Sequence, residues 1–90
     1  MNINSDQLMT KLHADLDTFY LSVEDESDQH AGHAGSDGSG QGTHFRVRIG
    51  SLAFTGLSRV ERHRLVYDAL KPFIDQGLHA LAIEIVEPPL

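Results

Sequence analysis

The chain has 90 residues, of which 40% are hydrophobic and 22% are charged, and this length supports one domain with a single modest core. It contains no cysteine, which excludes disulfides, thiolate nucleophiles and all-cysteine metal sites. Its formal net charge of −6 argues against broad, non-specific nucleic-acid binding, because such binding depends on neutralising phosphates.

The first half of the chain predicts a helix followed by an antiparallel hairpin. Ser5 is the expected N-cap of a helix over about residues 5–16. Two later segments, TFYLSVE and HFRVRIGS, alternate apolar and polar residues, which is typical of half-buried strands. Their apolar positions, which we expect to face the core, are Phe19, Leu21, Val23, Phe45, Val47 and Ile49.

A flexible loop over about residues 25–42 separates the two strands and contains DQHAGHAGSDGSG. A loop this long is unusual in a compact domain and indicates either function or plain mobility. Charge is unevenly spread around it, since residues 15–37 carry seven acids and no Lys or Arg, whereas residues 44–64 carry five arginines and one acid. This dipolar distribution favours an oriented partner.

The second half predicts a helix and a last strand. Ser58 and Glu61 form a capping box at the start of the helix. Pro72 predicts a kink or break, and Gly77 predicts the helix end. The strand LHALAIEIV follows, and the strand–helix–strand crossover should place it parallel to a neighbour. We therefore expect a two-layer α+β sandwich with order α-β-β-α-β, or with the second helix split in two.

The segments FTGLSRVERHRLVYDAL and GLHALAIEIVEP, with DES before the loop and THFRV after it, closely resemble the BolA family from roughly Leu8 to Pro88. The resemblance implies one BolA-like domain over residues 1–90. It also implies a type II KH-like fold, α-β-β-α-α-β, with a three-stranded mixed sheet. The implied partner is a monothiol glutaredoxin, which shares a 2Fe–2S cluster bound with glutathione. The family is also linked to transcriptional and stress-response regulation in bacteria.

The resemblance implies His79 as one cluster ligand and a histidine of the loop, His30 or His33, as the second. Imidazole is a suitable iron ligand, and two histidines on one iron are the Rieske arrangement. The alternatives are a strand-end histidine bonded to backbone and solvated loop histidines. We expect structural roles for His44, which would close the hairpin, and for His63, which would pack where the helix meets the sheet.

A basic set is expected to bind a partner or nucleic acid, unless it is merely a solvated face. Its members are Arg46, Arg48, Arg59, Arg62, His63 and Arg64. KH-type RNA binding is disfavoured, because the G-x-x-G turn reads Gly56-Leu57-Ser58-Arg59 here. Catalysis is disfavoured too, since Ser58, His63 and Asp68 spread around the helix axis instead of converging.

The resemblance implies a non-catalytic adaptor in iron–sulfur cluster delivery or iron regulation, with no cofactor expected in the isolated apoprotein. We expect a monomer that forms a heterodimer with its partner. The alternatives are a DNA-binding transcriptional or stress-response regulator and an interaction scaffold in which the histidines are incidental. No apolar run of about 18 residues or secretory signal is present, so we expect a cytoplasmic protein without a membrane segment.

Overall fold

The structure, a computed structural model, describes residues 3–26 and 44–88. In this part of the chain two helices pack on a three-stranded mixed sheet, which confirms the predicted α+β class. The elements in chain order are α1 (Ser5–Leu16), β1 (Thr18–Asp25), β2 (His44–Ser51), a 3-10 turn (Leu52–Phe54), α2 (Arg59–Asp75) and β3 (Ala80–Ile85).

The sheet has the strand order β1-β2-β3. Strands β1 and β2 pair antiparallel, with Val23 opposite Val47. Strands β2 and β3 pair parallel, with Val47 opposite Ile83. The crossover through α2 therefore places the last strand as predicted. The hairpin strand also extends through Asp25, one residue into the segment that was expected to be loop.

The core lies between the helices and one face of the sheet. The inward residues of β2 are almost completely buried, at 2% exposure for Phe45 and 0% for Val47 and Ile49. Phe19 was expected to join them but is 40% exposed. The pairing register shifts between Thr18 and Tyr20, so the alternation that would turn Phe19 inward is interrupted there.

Helix α1 begins where predicted, but its N-cap is Asn4, not Ser5. The Asn4 side chain accepts a hydrogen bond from the Gln7 backbone N–H at 2.9 Å, and the Gln7 side chain accepts one from the Asn4 N–H at 3.0 Å. This reciprocal pair satisfies two backbone donors that the helix cannot bond internally. Ser5 offers no comparable pairing and is the first helical residue.

Helix α2 has the predicted Ser58–Glu61 capping box, but the expected break at Pro72 is wrong. The helix continues to Asp75, so Pro72 lies in its last turn. A proline there removes one hydrogen bond close to the end of the helix, where little helix remains to be disrupted. Gly77 follows the helix with φ +120, a conformation that favours glycine and confirms the predicted stop.

Candidate functional site

Two histidines meet at one end of the sheet. His44 is the first residue of β2, and His79 directly precedes β3. The parallel register places Ala80 opposite His44, which brings the residue before Ala80 to the same corner. The two imidazole centroids are 5.5 Å apart and their planes are inclined by 55°. His44 is only 7% exposed, whereas His79 is exposed.

Backbone contacts hold both histidines in place. The Leu78 N–H donates to the Phe73 carbonyl at 3.0 Å, and the Leu78 side chain is 4% exposed, so the residue before His79 is anchored to the core. On the other strand, the Glu26 N–H donates to the His44 carbonyl at 2.8 Å. His44 therefore closes the hairpin, as predicted.

The separation of the two rings suits a shared metal ion. A metal–imidazole bond of about 2.1 Å places the metal about 3.2 Å from the ring centroid, so two imidazoles at a tetrahedral angle have centroids about 5.2 Å apart. The observed 5.5 Å agrees with this value. Within residues 3–26 and 44–88 there is no group of three or more His, Asp or Glu side chains that could hold a metal ion by itself. A tetrahedral site that included this pair would need two further ligands.

The two histidines of the loop that were predicted as cluster ligands, His30 and His33, lie outside the described residues, so their role stays a prediction. His44 was not predicted as a ligand, because its place at the start of a strand indicated a structural role only. The signal that relates His44 to His79 is topological. Each histidine stands at the beginning of a strand, and parallel neighbours begin at the same edge of a sheet.

On the exposed face of the sheet, Arg46 and Arg48 are paired with carboxylates. Arg46 bonds Glu26 and Glu84 at 3.0 Å each. Arg48 bonds Glu24 at 2.6 Å and lies 3.4 Å from Glu84. The hydrogen bond that Arg46 donates to the Glu26 carboxylate raises the pKa of Arg46, and the one that Arg48 donates to Glu24 raises the pKa of Arg48. These two guanidiniums are already compensated within the domain.

The remaining members of the predicted basic set surround the start of α2. Arg62 donates to the Leu57 carbonyl at 3.1 Å and to Glu87 at 2.6 Å. In contrast, Arg59 and Arg64 have no ion pair with any residue that the structure describes. His63 is half-buried where α2 faces β3, which matches its predicted packing position.

A cleft of about 520 Å³ separates the start of α2 from β3. Its helix side is formed by Arg59, Arg62 and His63, and its strand side by Ile83 and Ile85. The predicted basic residues therefore divide between two surfaces. Arg46 and Arg48 lie on the open face of the sheet, while the α2 residues line or border this cleft.

None of the helices in the described part of the chain is both long and apolar enough to cross a membrane. The predicted cytoplasmic location is a separate matter and stays a prediction.

The profile of the BolA-like protein family matches residues 12–89. The chain is 58% identical over 69 residues to an uncharacterized protein in the cobS 5' region of Sinorhizobium sp, covering 76% of this chain and 73% of that one. It is 49% identical over 78 residues to protein BOLA1, chloroplastic, of Arabidopsis thaliana, covering 86% of this chain but only 49% of the plant protein.

Solved structures agree with this assignment. The BolA domain of SufE1 from Arabidopsis thaliana matches with a TM-score of 0.81 and 45% identity, covering 96% of this chain and 95% of that one. The solution structure of BolA1 from Mus musculus matches with a TM-score of 0.73 and 37% identity, covering 98% and 69%. The chain belongs to the BolA-like protein family.

Proposed function

We propose that this BolA-like protein is an adaptor that docks on a monothiol glutaredoxin and shares a 2Fe–2S cluster with it. The observation that carries the proposal is the pair of imidazoles of His44 and His79, whose centroids lie 5.5 Å apart at one corner of the sheet. One of them is exposed to an approaching partner, and the other is held from behind by the hairpin.

The chemistry of the cluster suits such a half-site. Each iron of a 2Fe–2S cluster is bound by two bridging sulfides and two external ligands, and in Rieske centres both external ligands on one iron are histidines. Two imidazoles from this chain would complete one iron. The partner's cysteine and glutathione would complete the other iron, which accounts for a cluster bridge between two proteins.

The second imidazole is either that of His44 or that of a loop histidine, His30 or His33. His44 has the advantage of a fixed position near His79, because an already oriented ligand loses little freedom on binding. Its burial is the counter-argument, since iron must reach its ring nitrogen. A loop histidine could replace it on the exposed side of His79. The two arrangements make different predictions for single substitutions.

Imidazole ligation also gives the shared cluster a distinct lability. Protons compete with metal for the ring nitrogen, so binding should weaken as the pH falls toward about 6. Replacing thiolates by imidazoles raises the reduction potential of a 2Fe–2S centre. Both properties suit a protein that accepts a cluster and releases it, in delivery or in iron regulation, and neither requires a catalytic residue.

The test is reconstitution of the mixed apoproteins, this chain with a monothiol glutaredoxin, using iron, sulfide and glutathione. The heterodimer should give a visible circular-dichroism spectrum that differs from that of the glutaredoxin homodimer. His79→Ala should abolish that difference. Among His44→Gln, His30→Ala and His33→Ala, the variant that abolishes it identifies the second ligand.

The control is His13→Ala. His13 is exposed on α1, and its ring bonds the Thr18 hydroxyl at 2.8 Å, at the opposite end of β1 from His44. This variant should retain the heterodimer spectrum. Thermal unfolding of His44→Gln separates loss of a ligand from loss of the fold. A heterodimer that forms with an unchanged spectrum in all histidine variants would refute cluster ligation and favour the scaffold alternative.

A further inference from the structure

Among the residues that the structure describes, strand β3 has a neighbouring strand on one side only, since the sheet order is β1-β2-β3. Directly after β3, the Val86 N–H donates to the Ile49 carbonyl at 2.8 Å. Backbone groups alternate in direction along a strand, so the even-numbered residues of β3 bond β2 and the odd-numbered ones point away. The Tyr67 hydroxyl, which reaches the Leu81 carbonyl at 3.5 Å, agrees with this assignment.

The N–H and C=O groups of Ile83 and Ile85 therefore face outward from the sheet edge. Their side chains point toward the helices but are only half-buried, whereas their partners in the register, Val47 and Ile49, are 0% exposed. The two helices thus cover the centre of the sheet but do not fully cover β3 at its edge. Unpaired backbone groups beside half-covered apolar side chains can template another strand.

The cleft of about 520 Å³ lies along this edge and is lined by two arginines, Arg59 and Arg62, and two glutamates, Glu84 and Glu87. Arg62 is compensated by Glu87. Glu84 is compensated on the open face of the sheet by Arg46. Arg59 has no ion pair with any described residue. The cleft therefore carries one uncompensated cation next to an edge that can form backbone hydrogen bonds.

We propose that the outer edge of β3 binds an extended peptide segment of a partner protein as a fourth strand. Its backbone would bond Ile83 and Ile85, one apolar side chain would cover Ile83, and a carboxylate in the same row would meet Arg59. Strand addition of this kind takes affinity from the backbone and specificity from alternate side chains. A second copy of the chain is the other occupant that this edge could take, and the experiment distinguishes the two.

This proposal is independent of the cluster. The probe is the capped peptide acetyl-TVTETVT-amide, added at millimolar concentration to the full chain, with acetyl-TVTKTVT-amide for comparison. Amide hydrogen exchange measured by NMR should slow at least about tenfold at Ile83 and Ile85. The amides of Ala82 and Glu84 already face β2 and should change little. The glutamate peptide should bind about tenfold more tightly than the lysine peptide.

Arg59→Glu should reverse that preference. Lys71→Glu, which changes an exposed cation of the same helix away from the cleft, should leave it intact. Two further peptides carry backbone N-methyl groups, one at the odd-numbered and the other at the even-numbered residues. Only one of these two sets of N–H groups faces β3, so only one of the two peptides should lose binding. His79→Ala should bind the peptide normally, so a failure here and a failure of cluster ligation are distinguishable.

The proposal is overturned if saturating peptide leaves the exchange of Ile83 and Ile85 unchanged, or if both N-methylated peptides bind equally. Equal affinity of the two peptides would remove the role of Arg59 and overturn the acidic specificity. Protection that develops without peptide and increases with protein concentration would identify a second copy as the occupant and overturn the assignment to a partner peptide.

Discussion

Gly50 lies in β2, where an ordinary strand residue would be expected, and the structure gives a steric reason for glycine. A Cβ atom added there would lie 2.4 Å from Cζ of Phe19 and 2.8 Å from the Val86 carbonyl oxygen. Both distances are well inside van der Waals contact. The Phe19 ring is 40% exposed and can move, but the Val86 oxygen belongs to backbone that is bonded to β2.

We predict that Gly50→Ala destabilises the domain by up to about 2.6 kcal/mol, with a central value of about 1.3 kcal/mol. Overpacking of this kind costs about 1–3 kcal/mol. Replacing glycine by alanine also lowers the conformational entropy of the unfolded chain, which stabilises the folded state by about 0.4–1 kcal/mol. The backbone of Gly50 is not among the described residues with positive φ, so no further strain is expected. At about 1.3 kcal/mol, Tm should fall by about 5–10 °C for a domain of this size.

Urea unfolding of the wild type and of Gly50→Ala, each with and without Phe19→Ala, measures the effect and its cause. Removing the ring relieves the two shortest contacts and retains the one with the Val86 oxygen, so Gly50→Ala should cost less in the Phe19→Ala background. The coupling between the two sites should reach about 0.5 kcal/mol or more. An equal cost in both backgrounds, or a gain in stability in the wild type, would refute this steric account.

Four other substitutions test the helices. Ser58→Ala should cost about 1 kcal/mol in urea unfolding, because its hydroxyl caps α2, and an unchanged midpoint would contradict the capping role. Hydrogen bonds from Ser58 lower the pKa of Glu61, so its contribution to stability is complete above about pH 4.3 and is lost as pH falls through the lower folded pKa. Glu61→Gln should therefore flatten the acid limb of the stability curve, and an identical limb would refute this linkage. Leu70→Ala should cost about 2–5 kcal/mol, because Leu70 is 0% exposed, and a loss below 1 kcal/mol would contradict its core position. Gly77→Ala should lower stability by about 1 kcal/mol or more through its φ of +120, and no loss would contradict that conformation.

The fold was largely predictable because alternation and capping are local. Val47 and Ile49 follow from the period of β2, and Ser58 follows from the capping box. The errors arose where a non-local contact decided the outcome. Phe19 left the core because of a register shift, which no pattern within β1 reveals. The continuity of α2 past Pro72 depends on how near the helix end lies, and Pro72 and Gly77 are competing signals for that end.

The candidate site was predictable only in part. His79 was identified by resemblance, since a histidine before a strand has no distinctive pattern of its own. Its neighbour His44 depends on the order of the strands, because only parallel pairing of β2 and β3 places the two strand starts together. A topology prediction that lists which residues begin adjacent parallel strands would have found the pair. The outer edge of β3 follows from the same topology.

The arginines limit how the DNA-binding alternative can operate. The sequence contains five arginines between residues 44 and 64. Three of them, Arg46, Arg48 and Arg62, form ion pairs with carboxylates of the domain. Each phosphate contact contributes a slope of about −0.9 to the logarithmic salt dependence of binding. Five contacts would give about −4.5, whereas Arg59 and Arg64 alone give about −1.8. A slope near −4.5 would require Arg46, Arg48 and Arg62 to give up their ion pairs within the domain. We therefore expect DNA binding by this fold to be weak and to depend only slightly on salt concentration. A salt-dependence slope near −4.5, measured with duplex DNA, would contradict this expectation and favour the DNA-binding regulator over the adaptor.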